Sequence, residues 1–382
     1  MTRWLARLAA GLLVLGLVVI TVVKLRYGGG ASFPERVAPG PLMPIEALQV
    51  VAELPSPPGN VAVSPEGRVF VTLHPEAHPA WSVVELVDGS MQPFPSLAFQ
   101  TGEREPRAFR NVLSLRVDQQ NRLWTLDNGD HGLHPGRLLA FSLANGAVVH
   151  EYRVPRSLAG LGSHLNDFQV SADGRYVFIA DASFFAQNPA LIVYDTQQRR
   201  ARRVLEGHVS MMAEQFTPRV QGRRMEVLGL VSIRPGVDSI VLSRDGHWLY
   251  FGAVTAQSLY RVQVADLLDT RLTSTALAER VQRFAPKPVT DGLSSDDLGR
   301  LYLSDPEHSR IVQMQPDGSL LTLIQGDALR WPDGFSFGPD GDLYIACSAL
   351  HQVLGRLPWQ IHAAGPFPLY RLPLGVPATP GH

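Results

Sequence analysis

A short pattern of apolar and polar positions recurs six times along the chain. Each copy has an apolar run, a polar turn, and a second apolar run that carries aromatic side chains, as in LSLRVDQQNRLWTLD (113–127). Such paired runs around a turn predict β-hairpins rather than helices. The first residues of the copies, which we call the anchors, are Gly59, Leu113, Asn166, Asp238, Asp291 and Asp333.

The turn of every copy falls at the same distance from its anchor. Eight positions after each anchor stands a residue that tolerates left-handed backbone: Gly67, Asn121, Gly174, Gly246, Gly299 and Gly341. Successive anchors are 54, 53, 72, 53 and 42 residues apart, and each interval holds one or two further strand-like runs. The longest interval predicts an insertion around Arg203–Pro235, a long loop over one face.

Six all-β units of about 40–55 residues predict a six-bladed β-propeller. A single unit cannot bury its own faces, so the ring has to close. The closing strand is expected from residues 48–54 or from residues 369–374, and the sequence does not decide between them. A right-handed β-helix is the alternative fold, but its repeats would be much shorter. We place the propeller at 48–374.

One segment near the start of the chain departs from this pattern. Leu8–Val23 has sixteen residues without a charge and is flanked on both sides by Arg or Lys. As a helix it would span roughly 24 Å, which is shorter than a bilayer core of about 30 Å. It is also longer than a signal-peptide core of about 7–15 residues. Residues 1–27 are therefore expected to form a hydrophobic helix, either a membrane anchor or a signal segment, and 28–47 a Gly/Pro-rich tether.

Charge and cysteine content bear on the location of the chain. The positive charges after the apolar run disfavour cleavage, so an uncleaved anchor is favoured over a cleaved signal, and a positive N-terminus favours an extracytoplasmic propeller. The single cysteine, Cys347, excludes an intrachain disulfide, which suits a bacterial periplasm. The net charge of 34 − 35 = −1 argues against nucleic-acid binding, which needs a basic face.

The hairpin geometry places the anchors and the ends of the second strands on one face, at the mouth of the central channel. Carboxylate and amide oxygens converge there, as a hard cation such as Ca²⁺ requires. Strand-end aspartates such as Asp127, Asp181 and Asp305 have an alternative structural role, in which they bind backbone amides. The residues expected to bind a ligand at the mouth are Asn166, Asp167, Asp238, Asp333, Asp127 and Asn128.

Histidines also gather near this face. Seven of the twelve are expected there: His74, His78, His131, His134, His164, His308 and His351. Histidine is the general acid or base that operates near neutral pH, although a solvated loop position is the alternative for each one. The candidate catalytic residues are Asp291, His164 and His131.

Several of these motifs resemble the major royal jelly protein/Yellow family over roughly 48–372. The resemblance is carried by LWTLDNG (123–129), Asn166–Asp167 followed by VFIAD (177–181), LIVYD (191–195), 236–243 followed by 249–251, and LYRV (259–262). It implies a secreted six-bladed propeller. Some members of the family are linked to dopachrome conversion or to the binding of small amines, and many have no established activity. This chain lacks the family's disulfide cysteines.

A more distant resemblance is to gluconolactonase/regucalcin-like and paraoxonase-like propellers. These hold a divalent metal at the channel mouth, which implies a metal site at Asn166, Asp238 and Asp291 with calcium as the favoured ion. The blade-one glutamate of that site falls near Gly59, which cannot ligate through a side chain. Asn60 or Asp333 would have to substitute for it, and Glu53 lies close upstream.

Three functions stay open at this stage. One is an enzyme, either a metal-dependent lactone hydrolase or a dopachrome-type isomerase that uses the same acid and base groups. Another is a non-catalytic binding protein for small amine or aromatic ligands, and the third is a protein-interaction scaffold. The first two place a small-molecule ligand at the channel mouth.

Overall fold

The chain folds into six four-stranded antiparallel sheets, the blades of a β-propeller, as the repeats predict. The computed structural model describes residues 2–36, 38–100 and 107–381, so that Val37 of the predicted tether lies outside the described residues. Within each of the first five blades the strands follow one another in chain order. The anchor strand of a blade therefore lies innermost, at the channel.

Strand β1 (Gln49–Leu54) precedes blade one in the chain. Each of the first three blades uses four consecutive strands. Their strands are β2 (Pro58–Val63), β3 (Val69–Leu73), β4 (Val83–Val87) and β5 (Ser90–Pro93); β6 (Val112–Val117), β7 (Arg122–Asp127), β8 (Arg137–Ser142) and β9 (Val148–Arg153); and β10 (Leu165–Val170), β11 (Tyr176–Asp181), β12 (Ala190–Asp195) and β13 (Arg200–Val204).

An insertion with two small hairpins separates blades three and four. The hairpins are β14 (Arg219–Val220) with β15 (Arg223–Arg224), and β16 (Glu226–Val227) with β17 (Val231–Ser232). The remaining strands are β18 (Val237–Leu242), β19 (Trp248–Ala253), β20 (Ser258–Gln263) and β21 (Gln282–Pro286); β22 (Leu293–Ser295), β23 (Leu301–Asp305), β24 (Arg310–Met314) and β25 (Leu320–Gln325); and β26 (Pro332–Phe337), β27 (Leu343–Cys347) and β28 (Phe367–Leu372).

Both candidate closing segments take part in closing the ring. Strand β1 pairs antiparallel with β28, with Leu54 opposite Phe367, so blade six has the order β26, β27, β28, β1. Blade six is thus built from both ends of the propeller sequence. A core cluster continues across the closure, because Val61 and Val71 of blade one pack with Ala346 and Leu369 of blade six.

The six predicted turn positions are confirmed by their backbone angles. All of them have positive φ, between 57° at Asn121 and 82° at Gly67. A residue without a β-carbon, or an asparagine, occupies this region at low energetic cost. The repeated Gly or Asn therefore sets the hairpin register, which in turn brings all six anchors to the same end of the ring.

Six α-helices accompany the strands. The longest, α1 (Thr2–Tyr27), contains the stretch Trp4–Tyr27, which is long and apolar enough to cross a membrane and includes an 18-residue window with a mean hydropathy of 2.6. None of that stretch is buried against the propeller. The others are short: α2 (Gly129–Gly132), α3 (Val264–Leu268), α4 (Ser274–Ala278), α5 (Leu350–Val353) and α6 (Pro358–Ala364).

Candidate binding site at the channel mouth

A cavity of about 460 Å³ opens at the mouth of the channel. All six anchors line it, so the repeat register that forms the blades also forms the cavity floor. The insertion contributes an apolar wall through Val227, Val231 and Ile233, and the loop after β11 adds Phe184 and Phe185. A polar floor beneath apolar walls is typical of small-molecule sites in proteins.

Three aspartates of the floor influence one another electrostatically. Burial raises the pKa of Asp238 well above its usual range, and the carboxyl groups of Asp291 and Asp333 raise it further. Burial likewise raises the pKa of Asp333, to which the charge of Asp291 adds. One carboxylate oxygen of Asp238, Oδ1, is buried without a hydrogen-bond partner among the described residues. The floor therefore carries one carboxyl oxygen that the described part of the protein does not satisfy.

Asp291 is held by a tryptophan from the loop before blade six. Nε1 of Trp331 donates a hydrogen bond of 2.6 Å to Oδ2 of Asp291. Burial raises the pKa of Asp291 to about 6, although this hydrogen bond acts in the opposite direction. Since Trp331 also packs against Val220 and Met225, it connects the insertion to the floor.

A buried arginine neutralises one side of the floor. Nη2 of Arg116 donates to both carboxylate oxygens of Asp167, at 2.8 and 2.9 Å, and Nη1 donates to Oδ1 of Asn60 at 2.9 Å. Ser114 also donates to Asp167, at 2.7 Å. Burial nevertheless raises the pKa of Asp167, and Arg116 partly offsets that rise. Both carboxylate oxygens of Asp167 therefore have hydrogen-bond partners, whereas Oδ1 of Asp238 has none among the described residues.

Three histidines stand on the cavity wall beside blades one to three. Nδ1 of His164 lies 3.2 Å from Nδ1 of His131, and the two rings stack with centroids 4.7 Å apart. Burial lowers the pKa of His164 to about 3 and that of His74 to about 4, and it also lowers the pKa of His131. The imidazoles are therefore neutral near pH 7.

The structure brings most of the predicted site residues together. Asn166, Asp167, Asp238, Asp291, Asp333, His131 and His164 all line the cavity. Asp127 and Asn128 do not: Asp127 accepts from the backbone amide of Arg110 at 2.8 Å, and Asn128 accepts from that of Asp130 at 2.8 Å. The hydrogen bond from the backbone favours a structural role for Asp127 over a role in ligand binding. The histidines at 78, 134, 308 and 351 also lie outside the lining.

Glycines after two anchors allow the inner strands to approach closely. A β-carbon at Gly292 would lie 1.5 Å from the carbonyl oxygen of Asp333, and one at Gly334 would lie 2.6 Å from Cα of Asn60. The Asp-Gly pairs of blades five and six thus have a packing reason beyond turn chemistry. They place the carboxyl groups of Asp291 and Asp333 near each other.

Behind the floor lies a buried lysine that the sequence did not single out. Lys287 is 1% exposed, and its Nζ donates to the carbonyl oxygens of Val254 at 3.1 Å and Pro288 at 3.2 Å. Burial lowers its pKa to about 7, although the carboxylates of Asp291 and Asp238 act in the opposite direction. Its charge state therefore changes within the physiological range.

The predicted metal site combines the amide of Asn166 with the carboxyl groups of Asp238 and Asp291. Across the described ranges, no group of three or more His, Cys, Asp or Glu side chains could hold an ion. Oδ2 of Asp291 accepts the hydrogen bond from Trp331, and burial raises the pKa of both Asp291 and Asp238. We derive no step through a metal, and the calcium site at Asn166, Asp238 and Asp291 stays a prediction.

Sequence reasoning missed Arg116, Trp331, Lys287 and the loop with Phe184 and Phe185. A signal existed for Arg116, because it stands as a charged residue in the otherwise apolar run of an innermost strand. Such a position faces the channel or its neighbours. For the other four residues we find no comparable signal.

Comparison with protein families and curated proteins gives two matches. The model of the family described as "Major royal jelly protein" matches residues 111–326, which is more than half of the chain. Major royal jelly protein 9 of Apis mellifera is 22% identical over 179 residues. This match covers 44% of the chain and 40% of the bee protein, so the chain aligns with less than half the length of that relative.

Solved structures match the fold over nearly their whole lengths. A calcium-binding protein, regucalcin, from Agrobacterium tumefaciens has a TM-score of 0.57 at 15% identity, with 89% of this chain and 97% of the other covered. A gluconolactonase from Xanthomonas campestris has a TM-score of 0.54 at 15% identity, with 91% and 98% covered. A luciferin-regenerating enzyme has a TM-score of 0.56 at 10% identity, with 87% and 97% covered. At such identities these likenesses show the fold alone.

Proposed function

The chain belongs to the major royal jelly protein family, and from that premise we propose that the channel mouth binds a small organic ligand with a protonated amine on an apolar or aromatic body. The carrying observation is the unpartnered carboxyl oxygen of Asp238 within a group of three aspartates at the cavity floor. The charges of Asp291 and Asp333 raise the pKa of Asp238, that of Asp291 raises the pKa of Asp333, and Oδ1 of Asp238 has no partner among the described residues. An ammonium group would satisfy this acceptor and offset the mutual repulsion.

The walls suit the rest of such a ligand. Phe184, Phe185 and Val231 line the cavity together with the indole of Trp331, and aromatic faces attract cations as well as apolar groups. A volume of about 460 Å³ lies within the range of small-molecule sites, which is about 300–1,000 Å³. A neutral ligand would leave the carboxyl cluster without a counter-charge, so the floor discriminates against it.

Binding of a cation should release protons from the floor. The pKa of each floor carboxyl is raised in the free protein, and a nearby positive charge lowers it again. Calorimetry of the full chain with phenethylamine at pH 7, in phosphate and in Tris, measures this release because the two buffers differ in ionisation enthalpy. We expect the amine to bind at least tenfold more tightly than phenethyl alcohol and to release protons.

Two variants test the assignment. Asp238→Asn should lower both the amine affinity and the proton release, whereas Asp317→Asn should change neither, because Asp317 lies in a turn at the opposite end of the ring. Equal affinity for amine and alcohol, without proton release, would contradict the proposal. A rise in melting temperature with CaCl₂ that Asp291→Asn abolishes would favour the predicted calcium site instead.

A second candidate is an isomerase that moves a proton on the bound aromatic amine. The observation that favours it is the stacked pair of His131 and His164, which are neutral near pH 7, in the same cavity as Asp291. Histidine would accept the proton, and Asp291 in its protonated form, which is a minor fraction above its pKa of about 6, would donate one. A dopachrome-type substrate assay with His164→Gln tests this: turnover should fall at least a hundredfold while ligand affinity changes less than threefold.

We also propose that α1 is retained as a membrane anchor and that the propeller lies outside the cytoplasm. Support comes from the apolar stretch Trp4–Tyr27, which is followed by the chain that leads into β1. The mass of the chain isolated from membranes tests retention. An intact N-terminus is expected, and loss of about 30 residues would instead indicate a cleaved signal of the type discussed above. Lactone hydrolysis stays a prediction of the sequence alone.

A further inference from the structure

The loops at the channel mouth expose large apolar side chains. Six of them form what we call the mouth rim: Leu133, Leu161, Phe185, Val209, Leu228 and Trp359. Their exposed fractions run from 44% at Phe185 to 85% at Leu228. On the opposite face, the described turns that join the paired strands expose Leu298, and Val148 and Val149 are exposed where β9 begins at that end. The mouth rim is the larger of the two exposed apolar sets, and a large exposed apolar set is typical of a contact surface.

Helix α1 ends on the same face. The hydroxyl group of Tyr27 donates to the carbonyl oxygen of Phe185 at 2.9 Å, and Gln187 donates to that of Arg26 at 3.3 Å. Lys24 donates to the carbonyl oxygen of Gly229, in the turn between β16 and β17. The last turn of α1 is therefore attached to two loops that also line or cover the cavity.

The chain that follows α1 is bound to the insertion. Thr217 donates to the carbonyl oxygen of Gly29 at 2.8 Å, Arg224 donates to that of Gly30 at 2.6 Å, and the amide of Ala31 donates to that of Gln215 at 3.0 Å. If the residues after α1 formed a flexible tether, the propeller could rotate independently of the helix. These contacts instead fix the exit of α1 against the mouth, so the orientation of the propeller follows that of the helix.

We propose that the mouth face rests on the membrane, with the mouth rim in contact with lipid and the cavity open toward the bilayer. The inference depends on the proposed retention of α1 as an anchor. The occupant is the lipid bilayer, because the helix that would span it leaves the protein at this face. Aromatic and basic side chains are typical of the membrane interface, and exposed Trp359 stands close to exposed Arg356.

This orientation defines the ligand more narrowly. A cavity that opens onto the interface takes its ligand from the lipid phase as readily as from water. Amphiphilic amines concentrate there, with the apolar part among the acyl chains and the ammonium at the headgroups. We infer that the preferred ligand is a membrane-partitioning amine, whose apolar part would contact Phe185 and Ile233 and whose ammonium would reach the floor.

The test places a fluorophore at single cysteines in the full chain in nanodiscs. Leu228→Cys and Leu161→Cys report on the mouth rim, and Leu298→Cys is the matched control on the opposite face. The native Cys347 is 1% exposed, and burial raises its pKa to about 12, so it reacts poorly. We expect lipids that are spin-labelled near the headgroup to quench the rim labels at least fivefold more than the control label. Aqueous iodide should show the reverse order.

Other results would overturn the inference. Equal quenching of all three positions by iodide, with α1 intact by mass, would mean that the propeller is anchored but turns freely. Protection of the rim labels from both quenchers, together with a doubled particle mass, would assign the rim to a second copy of the chain. A chain that lacks its first 30 or so residues would overturn the anchor proposal itself, and mass spectrometry of the same sample distinguishes that case.

Discussion

Nε1 of Trp331 donates a 2.6 Å hydrogen bond to Oδ2 of Asp291, forty positions earlier in the chain. Asp291 is the anchor of blade five, and Trp331 stands two positions before the anchor of blade six. The indole is 1% exposed and packs beneath the insertion. This one contact therefore joins two neighbouring blades and the cavity wall.

Replacement of Trp331 by phenylalanine removes the donor and keeps an aromatic ring. A hydrogen bond to a charged group contributes about 1.5–3 kcal/mol. Since this bond lowers the pKa of Asp291 from what burial alone would set, it stabilises the ionised form, which exists above a pKa of about 6. We expect the loss of unfolding free energy in Trp331→Phe to be larger at pH 8 than at pH 5, as measured by urea denaturation.

The control for that prediction is the Asp291→Asn background. Asparagine does not ionise, so the difference between the two pH values should vanish when Trp331→Phe is added to Asp291→Asn. A pH difference that persists in the double variant would assign the effect to packing at Trp331 rather than to its bond with Asp291.

Loss of Arg116 should lower the free energy of unfolding more than loss of an exposed arginine. Arg116→Met leaves the buried carboxyl of Asp167 without its partner, and loss of one member of a buried pair costs about 3–5 kcal/mol. The loss should grow as pH rises, because Arg116 stabilises the ionised form of Asp167 and lowers its pKa from what burial alone would set. Arg153 provides the matched control, because its side chain is 62% exposed in its pair with Glu151. Arg153→Met should cost less than about 1 kcal/mol, and equal losses in thermal or urea unfolding would refute the prediction.

Asp238→Asn should stabilise the protein while it weakens ligand binding. The folded-state pKa of Asp238 is raised above the unfolded value, so ionisation in the unfolded state begins first and stability falls as pH rises from about 4 toward the folded pKa. Asparagine removes that penalty. We expect a gain in the free energy of unfolding at pH 8 and a smaller gain at pH 5. A loss of stability at both pH values would show that Asp238 has a partner that it satisfies.

Lys287 should lose its proton near neutral pH. Because the chain contains only two lysines, Lys24 and Lys287, ¹³Cε-lysine labelling gives two NMR signals, and exposed Lys24 is the internal reference. The Lys287 signal, identified by its loss in Lys287→Met, should titrate near pH 7. The folded pKa is depressed, so relative to the variant the stability of the natural chain should rise as pH increases from about 7 to about 10. Titration of this signal near pH 10 would contradict the prediction.

The propeller could be derived from the sequence because its register depends on local chemistry. Gly67 and Asn121 reveal the hairpin turns since few residues accept positive φ, and that requirement is visible without knowledge of the fold. The closure of the ring was harder to predict from the sequence. The pairing of β1 with β28 joins segments at opposite ends of the propeller, and both have ordinary strand sequences, so the sequence named the two candidates without showing that they pair.

Only part of the candidate site could be predicted from the sequence. The anchors share one face by periodicity, which located Asp238, Asp291 and Asp333. The bond between Arg116 and Asp167 joins side chains of adjacent blades, and its geometry depends on how far the blades are apart. The chain after α1 contacts Gln215 and Thr217 through hydrogen bonds to backbone carbonyl groups. Every residue has such a group, so no residue type in the sequence predicts these contacts.

The closing pair of strands also orders the events of biosynthesis. Strand β1 leaves the ribosome among the first strands, whereas its partner β28 is the last described strand of the chain. Blades one to five can form as they are made, since each uses consecutive strands. Strand β1 must remain unpaired until β28 has been made. The first strand of the propeller is thus paired last, and nascent chains that stop before β28 carry an open ring with an unpaired edge.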